Sequence, residues 1–334
     1  MRWLRCLIVA LLCVAAPLVA ASSQAVAAQF ISPIKTESIL LKAFWQSRDS
    51  NYNIAISGGA YQGPGNLSLG TWGAFWSCRA FSAATAGTKA YRIINETTTL
   101  QTDINSLSNG FCDTTTPVTF CTGAVCKIVT YYDQTGGTNC SGSACDITQG
   151  TDSGRPTWQA STLNSWPCAN VATAGSTVGL TTANNFTGGA SQPVTLVALS
   201  ERTGAFTTAQ RIITNLLSGP PMIFNYRGLA NGISINAGGT QVNATASDSA
   251  FHVTIARLQG ASSALWVDAG TPSTGSIGTN AFSSSDIYVM NDNSVANSLQ
   301  GNFCEGGIML AAIATGNVPT LNTNIHSATY GWDF

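Results

Sequence analysis

The chain has few charged residues. Asp, Glu, Lys and Arg make up 9% of its 334 residues, and the formal net charge is −1. Proteins that bind nucleic acid present a basic face to the phosphates, so this composition argues against a nucleic-acid partner. Low charge does not indicate disorder here, because 44% of the residues are hydrophobic and a disordered chain lacks that apolar content.

Histidine is scarce, and several catalytic motifs are absent. The two histidines, His252 and His326, lie far from any pair of cysteines, which disfavours a zinc site of Cys and His ligands. Neither lies near a Gly-x-Ser-x-Gly nucleophile elbow, and no phosphate-binding glycine loop precedes a helix. We interpret His252 as a packing residue within a strand. We expect no metal and no cofactor.

Long hydrophobic runs are also absent after the N-terminus. Residues 6–20 are apolar, follow the basic Arg2 and Arg5, and lead to Ala25-Val26-Ala27, which has the form of a signal-peptidase site. Val26-Ala27-Ala28, one residue on, fits that form equally well. The run is short for a membrane span, which needs about 20 residues. We predict a signal peptide at 1–28, no membrane span after its removal, and a secreted or periplasmic protein.

Short β-strands account for most of what remains. From Pro193 onward, apolar stretches of strand length recur about every 8–12 residues with turn residues between them, a spacing typical of a β-sandwich. We predict strands at 194–199, 210–217, 222–226, 232–235, 251–258, 264–270, 286–290 and 306–313, and one helix at 320–330. We expect a lead-in at 29–60 and one sandwich domain at 61–334, with an inserted loop at 140–167.

The cysteines indicate a disulfide framework. Cys6 and Cys13 belong to the signal peptide, and an even number of cysteines in the remaining exported chain implies disulfide bonds. Spacing favours two local pairs, Cys121 with Cys126 and Cys140 with Cys145. The other four cysteines leave several pairings open, among which we favour Cys78 with Cys112 and Cys168 with Cys304.

One stretch identifies a related family. Residues 119–137 form a Cys loop, a strand and an Asp-Gln-x-Gly turn, and they resemble the hallmark segment of the catalytic domain of α-L-arabinofuranosidase B, glycoside hydrolase family 54. Residues 63–67, 292–294, 301–306 and 324–330 resemble other blocks of that domain. The resemblance implies an all-β, concanavalin A-like jelly-roll sandwich with a short C-terminal helix, and it matches Cys121/Cys126 to a family disulfide.

The resemblance also implies a reaction. The family removes terminal α-L-arabinofuranosyl groups with retention, which requires two carboxyl groups about 5–5.5 Å apart. Asp292 falls at the family's acid/base aspartate. The family's nucleophilic Glu has no counterpart, because the matching residues 232–239 contain no acid and Asn236 stands where a sugar-contacting Asp is expected.

Other residues are candidates for the site. Glu305 is a second catalytic candidate, although its Phe-x-Glu-Gly-like setting also fits a buried structural carboxylate. Asp268 and Asp286 flank strands, and we interpret them as turn residues. Candidate sugar-binding residues are Asn293, Asn236, Trp266 and Tyr226, with core packing as the alternative for the aromatic pair.

Two functions therefore remain open. The first is hydrolysis of arabinofuranosyl groups, with Asp292 as acid/base and an unidentified nucleophile. The second is non-catalytic binding of a glycan, or another surface interaction, by a sandwich that lacks the catalytic dyad. In both readings the expected partner is an arabinose-containing glycan.

Overall fold

The computed structural model describes residues 60–173, 176–187, 191–204, 209–215, 222–227, 232–247, 249–280, 286–292, 297–327 and 332. The chain divides into two units, Met1–Gly58 and Gly59–Phe334, and all of the described residues belong to the second. The predicted signal peptide at 1–28 and almost all of the predicted lead-in at 29–60 thus lie outside the described residues.

Six of the described strands form the first layer of the sandwich. They are β1 (Trp72–Ser77), β9 (Val194–Arg202), β14 (Phe251–Leu258), β15 (Ser263–Val267), β16 (Ser273–Gly275) and β18 (Gly301–Met309). Their order is β16–β15–β14–β9–β18–β1, and each neighbouring pair is antiparallel.

The second layer contains more of the described strands than the first. It contains β2 (Lys89–Asn95), β3 (Gln101–Asn105), β4 (Cys126–Tyr131), β5 (Ile147–Thr148), β8 (Leu180–Thr182), β10 (Gln210–Asn215), β11 (Met222–Arg227), β12 (Gly232–Ala237), β13 (Val242–Thr245) and β17 (Ile287–Val289). Their order is β3–β2–β4–β5–β8–β17–β10–β11–β12–β13. Two further strands, β6 (Thr157–Leu163) and β7 (Trp166–Val171), connect the layers, because β6 pairs with β4 and β7 pairs with β18.

The sequence of β9 explains its central position. The strand begins Val-Thr-Leu-Val-Ala-Leu, an apolar run without alternation, and it is buried along almost its whole length. It pairs with β14 on one edge and with β18 on the other. A strand that is paired on both edges and covered on both faces needs apolar residues at successive positions. The predicted all-β sandwich is confirmed.

Two α-helices lie among the described residues. α2 (Val318–His326) is the expected C-terminal helix; it begins two residues earlier than predicted, and Pro319 stands in its first turn, where a proline costs no hydrogen bond. α1 (Thr115–Phe120) was not predicted. Its composition is unfavourable for a helix, but the Asp113 carboxylate accepts hydrogen bonds from the N–H groups of Thr115 and Thr116 and so stabilises its first turn.

The structure forms four disulfide bonds, and all four join the pairs favoured from the sequence. They are Cys78–Cys112, Cys121–Cys126, Cys140–Cys145 and Cys168–Cys304. The last of these connects β7 to β18 across a sequence separation of 136 residues. In the chain-entropy account, closing a loop of that length stabilises the folded state by about 5 kcal/mol.

Two details differ from the predictions. Residues 140–167, expected to be an inserted loop, contain β5 and β6, which both pair with β4. β18 begins at Gly301, five residues before the predicted start at Gly306. Gly301 has a φ of 152°, and a Cβ there would collide with the carbonyl of Glu201. The glycine therefore permits the close approach of β18 to β9 and extends the strand.

Candidate functional site

Asp292 lies in the loop that follows β17, with a side chain that is 5% exposed. Its Oδ2 accepts hydrogen bonds from Arg211 Nε and Asn297 Nδ2, both at 2.7 Å. Its backbone N–H donates to Asn291 Oδ1 at 2.6 Å. The acid is thus oriented by a cation and an amide. Arg211 reaches it because β10 and β17 are paired neighbours.

Polar side chains extend from Asp292 across three strands of the second layer. In the register of the sheet, Arg211 on β10 is opposite Asn225 on β11, and Asn225 is opposite Ser234 on β12. With the Asn225 amide turned to suit its neighbours, its oxygen accepts from Arg211 Nη1 at 3.2 Å and its nitrogen donates to Ser234 Oγ at 2.6 Å. We call these four residues, Asp292, Arg211, Asn225 and Ser234, the Asp292 strip.

The strands of this strip carry no second acid. No Asp or Glu occurs between residues 202 and 247, a span that includes β10, β11, β12 and β13. In the stretch matched to the family's nucleophile strand, residues 232–239, β12 carries Ser234 and Asn236, the latter where the resemblance implies a sugar-contacting Asp. The first is a hydroxyl and the second an amide, and neither can attack an anomeric carbon as a carboxylate does.

One further carboxylate lies in the same neighbourhood. Asp286 is half-buried and immediately precedes β17, on which Tyr288 lies. Burial raises the pKa of Tyr288, and the charges of both Asp286 and Asp292 raise it further. The phenol of Tyr288 therefore lies within the field of both acids. Asp286 is the acid that we interpreted as a turn residue.

Glu305 is a structural residue, so the second catalytic candidate was wrong. Its side chain and that of Arg79 have no exposed surface. Arg79 donates from Nε to Oε2 at 2.6 Å and from Nη2 to Oε1 at 2.7 Å. Ser77 Oγ and Trp332 Nε1 also donate to Oε2, at 3.0 and 2.9 Å. A carboxylate whose oxygens are all engaged inside the protein has no access to a substrate.

The two aromatic sugar-binding candidates were also wrong. Trp266 is 2% exposed and Tyr226 is 1% exposed, so neither offers a ring face to a ligand. The Arg257 guanidinium lies 5.3 Å from the ring centroid of Trp266. The hydroxyl of Tyr226 donates to the carbonyl of Ser200 at 3.1 Å. Both rings therefore lie in the buried core of the sandwich.

The two asparagine candidates have different outcomes. Asn236 is half-buried at the end of β12. Its Oδ1 accepts from Gly238 N–H at 2.9 Å and its Nδ2 donates to the carbonyl of Gly239, so its amide closes the turn into β13. That is the local role of an Asx turn. Asn293 lies outside the described residues, so its assignment stays a prediction.

Some residues of the site escaped the sequence analysis. Arg211, Asn225, Ser234 and Asn297 belong to no recognisable motif, and Arg211 is 81 positions from its partner Asp292. The one available signal was Arg211 itself, one of two arginines, with Arg227, in a long stretch without acids. Within the described residues, no three His, Cys, Asp or Glu side chains converge as a metal site would require. No helix among them has the length and apolarity needed to cross a bilayer.

Comparison with known proteins accords with this fold. A sequence profile described as "Alpha-L-arabinofuranosidase B, catalytic" matches residues 69–200. The chain resembles the catalytic domain of α-L-arabinofuranosidase B. The match ends at residue 200, so the Asp292 strip lies beyond it. No curated protein matches the chain.

Solved structures extend the resemblance. A variant of a glycoside hydrolase family 54 α-L-arabinofuranosidase soaked with 4-nitrophenyl α-L-arabinofuranoside superposes with a TM-score of 0.64 at 18% identity, over 80% of this chain and 66% of that one. An arabinofuranosidase complexed with arabinofuranosyl-α-1,2-xylobiose gives 0.59 at 17% identity, over 80% and 65%. This chain therefore spans about two thirds of their length. At these identities the resemblance shows the fold.

Proposed function

We propose that the domain binds terminal α-L-arabinofuranosyl groups of a glycan at the Asp292 strip, without hydrolysing them through a carboxylate dyad. The observation that carries this proposal is the absence of any acid on β10, β11, β12 and β13. Retaining hydrolysis needs a second carboxylate about 5–5.5 Å from the first. The three strands that continue from Asp292 supply a guanidinium, an amide and a hydroxyl in that place.

The chemistry of the strip suits recognition of a sugar. A furanosyl group presents hydroxyls that both donate and accept hydrogen bonds. At the partly exposed end of the strip Asp292 accepts and Arg211 donates, while Asn225 and Ser234, each 1% exposed, orient Arg211 from inside the sheet. These side chains are held by one another, so little conformational entropy remains to be lost on binding.

Hydrolysis is the second candidate, and one observation favours it. Asp286 and Asp292 flank β17, and the charge of each raises the pKa of Tyr288 on that strand. In this reading Asp292 protonates the leaving oxygen and Asp286 attacks the anomeric carbon. The two readings differ in whether the purified protein turns substrate over.

One pair of measurements separates them. Release of 4-nitrophenol from 4-nitrophenyl α-L-arabinofuranoside reports hydrolysis, and retardation in an arabinan-containing gel reports binding. Both are applied to the wild type, Asp292→Asn, Arg211→Met and Asp286→Asn. Asp152→Asn is the control, because that side chain is 61% exposed and lies outside the strip.

The binding proposal expects retardation of the wild type and the control, at least tenfold weaker binding by Asp292→Asn and Arg211→Met, and no turnover by any protein. Turnover that is abolished by both Asp292→Asn and Asp286→Asn would establish the hydrolase instead. Absence of both retardation and turnover in the folded wild type would refute both functions.

We also propose that the protein is exported with loss of residues 1–28. The four disulfides support this, because structural disulfides persist in oxidising compartments. N-terminal sequencing of the protein recovered from its own source, with a first residue near Gln29, tests the cleavage. An intact Met1 would contradict it.

A further inference from the structure

Three residues of the first layer and its edge form a hydrogen-bonded series of serine, histidine and aspartate. Ser247 Oγ lies 3.0 Å from His252 Nε2, and His252 Nδ1 lies 2.7 Å from Asp268 Oδ2. A serine, an imidazole and a carboxylate in this order, each within hydrogen-bond reach of the next, have the arrangement of a nucleophile, its general base and the group that orients the base.

The hairpin of β14 and β15 positions the histidine and the acid. His252 is the second residue of β14, and Asp268 immediately follows β15. Val253 N–H donates to Asp268 Oδ1 at 2.9 Å, and Asp268 N–H donates to the carbonyl of Val253 at 2.9 Å. These two bonds fix the carboxylate beside the imidazole without contribution from Ser247.

The three side chains differ in their exposure to solvent. Ser247 is exposed, the His252 side chain is 9% exposed, and the Asp268 side chain is 40% exposed. The hydroxyl is therefore open to a ligand from solvent while the imidazole is sheltered. From the sequence we interpreted His252 as a packing residue and Asp268 as a turn residue, and Ser247, 21 positions before Asp268, was not singled out.

The charges of the group are consistent with this order. Burial tends to raise the pKa of Asp268, but the hydrogen bond from His252 and the nearby ring of His326 outweigh it and hold that pKa well below its usual value. Burial tends to lower the pKa of His252, but the Asp268 carboxylate more than offsets it and raises that pKa. His326, on α2, places its Nε2 3.8 Å from Asp268 Oδ1. Asp268 thus stays ionised and holds the Nδ1–H of His252, which leaves Nε2 facing the serine.

We propose that Ser247 is a nucleophile for small carboxylic esters, with His252 as its general base and Asp268 as the residue that positions the base. Ser247 Oγ attacks the acyl carbon while its proton passes to His252 Nε2. The alcohol leaves with that proton, and an acyl-serine remains. Water then attacks the acyl-serine and gives a proton to Nε2, which passes it to Ser247 Oγ as the acyl bond breaks, so that the carboxylic acid and the free serine are released.

The geometry bounds the expected substrate and rate. Ser247 is on the surface, so a short acyl group such as acetyl fits this site better than one that needs an enclosed pocket. The Ser249 N–H, two residues on, already donates to the carbonyl of Arg202 and is not free to bind an oxyanion. We therefore expect only the contribution of general-base catalysis, about 10²–10⁴-fold.

His252 Nε2 also lies 3.2 Å from the carbonyl oxygen of Ser247. When the imidazole is protonated, Nε2–H donates to an oxygen of Ser247 and the ring cannot accept a proton. Reactivity should consequently rise with pH as His252 loses its proton, through a midpoint above the ordinary histidine value of about 6.5.

Covalent labelling tests the nucleophile. The full-length purified protein is treated with a fluorophosphonate, and the modified peptide is located by mass spectrometry. We expect an adduct on Ser247, none in Ser247→Ala, and at least tenfold slower labelling in His252→Gln and Asp268→Asn. Ser262→Ala is the matched control, because Ser262 is also exposed. No adduct on Ser247, or equal labelling of Ser247 and Ser262, would overturn the proposal.

Hydrolysis of 4-nitrophenyl acetate gives a second readout. The wild-type rate should exceed that of Ser247→Ala by about 10²-fold or more and follow the pH dependence given above. Asp268→Asn should shift that pH midpoint downward, which a purely structural role of Asp268 would not do. Equal rates for the wild type and Ser247→Ala at every pH would overturn the proposal. Ser247 is exposed, so its replacement leaves the fold intact.

Discussion

The two layers of the sandwich each contain a buried arginine–carboxylate pair, and the pairs differ in what surrounds them. Arg79 and Glu305 in the first layer are both 0% exposed, and Ser77 and Trp332 complete the partners of the carboxylate. Arg211 and Asp292 in the second layer are 14% and 5% exposed, beside a loop. The first pair is closed on every side and serves the fold. The second retains surface and can serve a ligand.

The matched part of the chain is also distinct from the part that carries the candidate sites. The profile match covers residues 69–200, the part that carries seven of the eight disulfide-bonded cysteines. The Asp292 strip and the Ser247 series lie after it. The sequence match to the arabinofuranosidase domain therefore covers the part of the chain with most of the disulfides. Both candidate sites lie after the matched residues.

The largest expected effect comes from breaking the closed pair. Glu305→Gln leaves the Arg79 charge buried without an anion, so we expect it to lower the free energy of unfolding by about 3–5 kcal/mol. Urea unfolding of the oxidised protein measures this. Glu201→Gln is the control, because Glu201 is half-buried and accepts one hydrogen bond from Asn302. A loss below about 1 kcal/mol for Glu305→Gln would contradict the comparison.

The open pair should respond more weakly in stability. Asp292→Asn removes the charge but keeps the shape, and Arg211 can still turn part of its guanidinium to water. We expect a loss of about 1–3 kcal/mol, as for a hydrogen bond to a charged group, measured by the same urea titration. The folded variant should nevertheless lose arabinan binding. A stability loss as large as that of Glu305→Gln would show that both pairs are structural.

The scaffold was the more predictable part of the molecule. Both ends of β14, Phe251–Leu258, were predicted to the residue. The apolar stretch there ends at a turn at Gly260, and the next apolar stretch forms its hairpin partner. The two local disulfides followed from spacing, whereas the two long-range disulfides were favoured among several open pairings. These features depend on neighbours that are close in sequence or on one type of bond.

The sites were less predictable, because their partners are set by strand pairing. Arg211 meets Asp292 through the β10–β17 pairing, for which nothing local in the sequence gives a signal. Trp266 was misassigned because β15 is buried on both faces, so alternation along the strand does not reveal which face meets solvent. Glu305 was ambiguous until its four donor groups were known.

The His252–Asp268 pair provides an intermediate case with a pH dependence. The folded-state pKa of His252 is raised, so its stabilising effect is complete below about pH 6.5 and is lost as the pH rises through the folded-state value. That of Asp268 is lowered, so its effect is present above about pH 3.9 and is lost on acidification. The pair should stabilise most between these limits, with His326 as the other charged neighbour.

We expect the free energy of unfolding to fall by about 1 kcal/mol or less between pH 6 and pH 8.5, since Asp268 is partly exposed and solvent screens the pair. Chemical unfolding at a series of pH values measures it. His252→Gln should flatten the curve, whereas His326→Gln should change it less, because its nitrogen is farther from the carboxylate. A curve that rises over this range would contradict the raised pKa of His252.

The smallest effect should come from the exposed ion cluster on β2 and β3. Lys89 and Arg92 contact Asp103 at 2.6 Å, with side chains that are 57%, 37% and 23% exposed, respectively. The Arg92 hydrogen bond holds the pKa of Asp103 well below its usual range. Exposed pairs nevertheless contribute about 0.2–1 kcal/mol each, since water solvates both charges in the unfolded chain. Asp103→Asn should therefore cost less than Asp292→Asn, and the difference from wild type should shrink between about 0.01 M and about 1 M salt. If Asp103→Asn lowered the free energy of unfolding as much as Glu305→Gln does, at low and high salt alike, burial would not determine how much each ion pair contributes to stability.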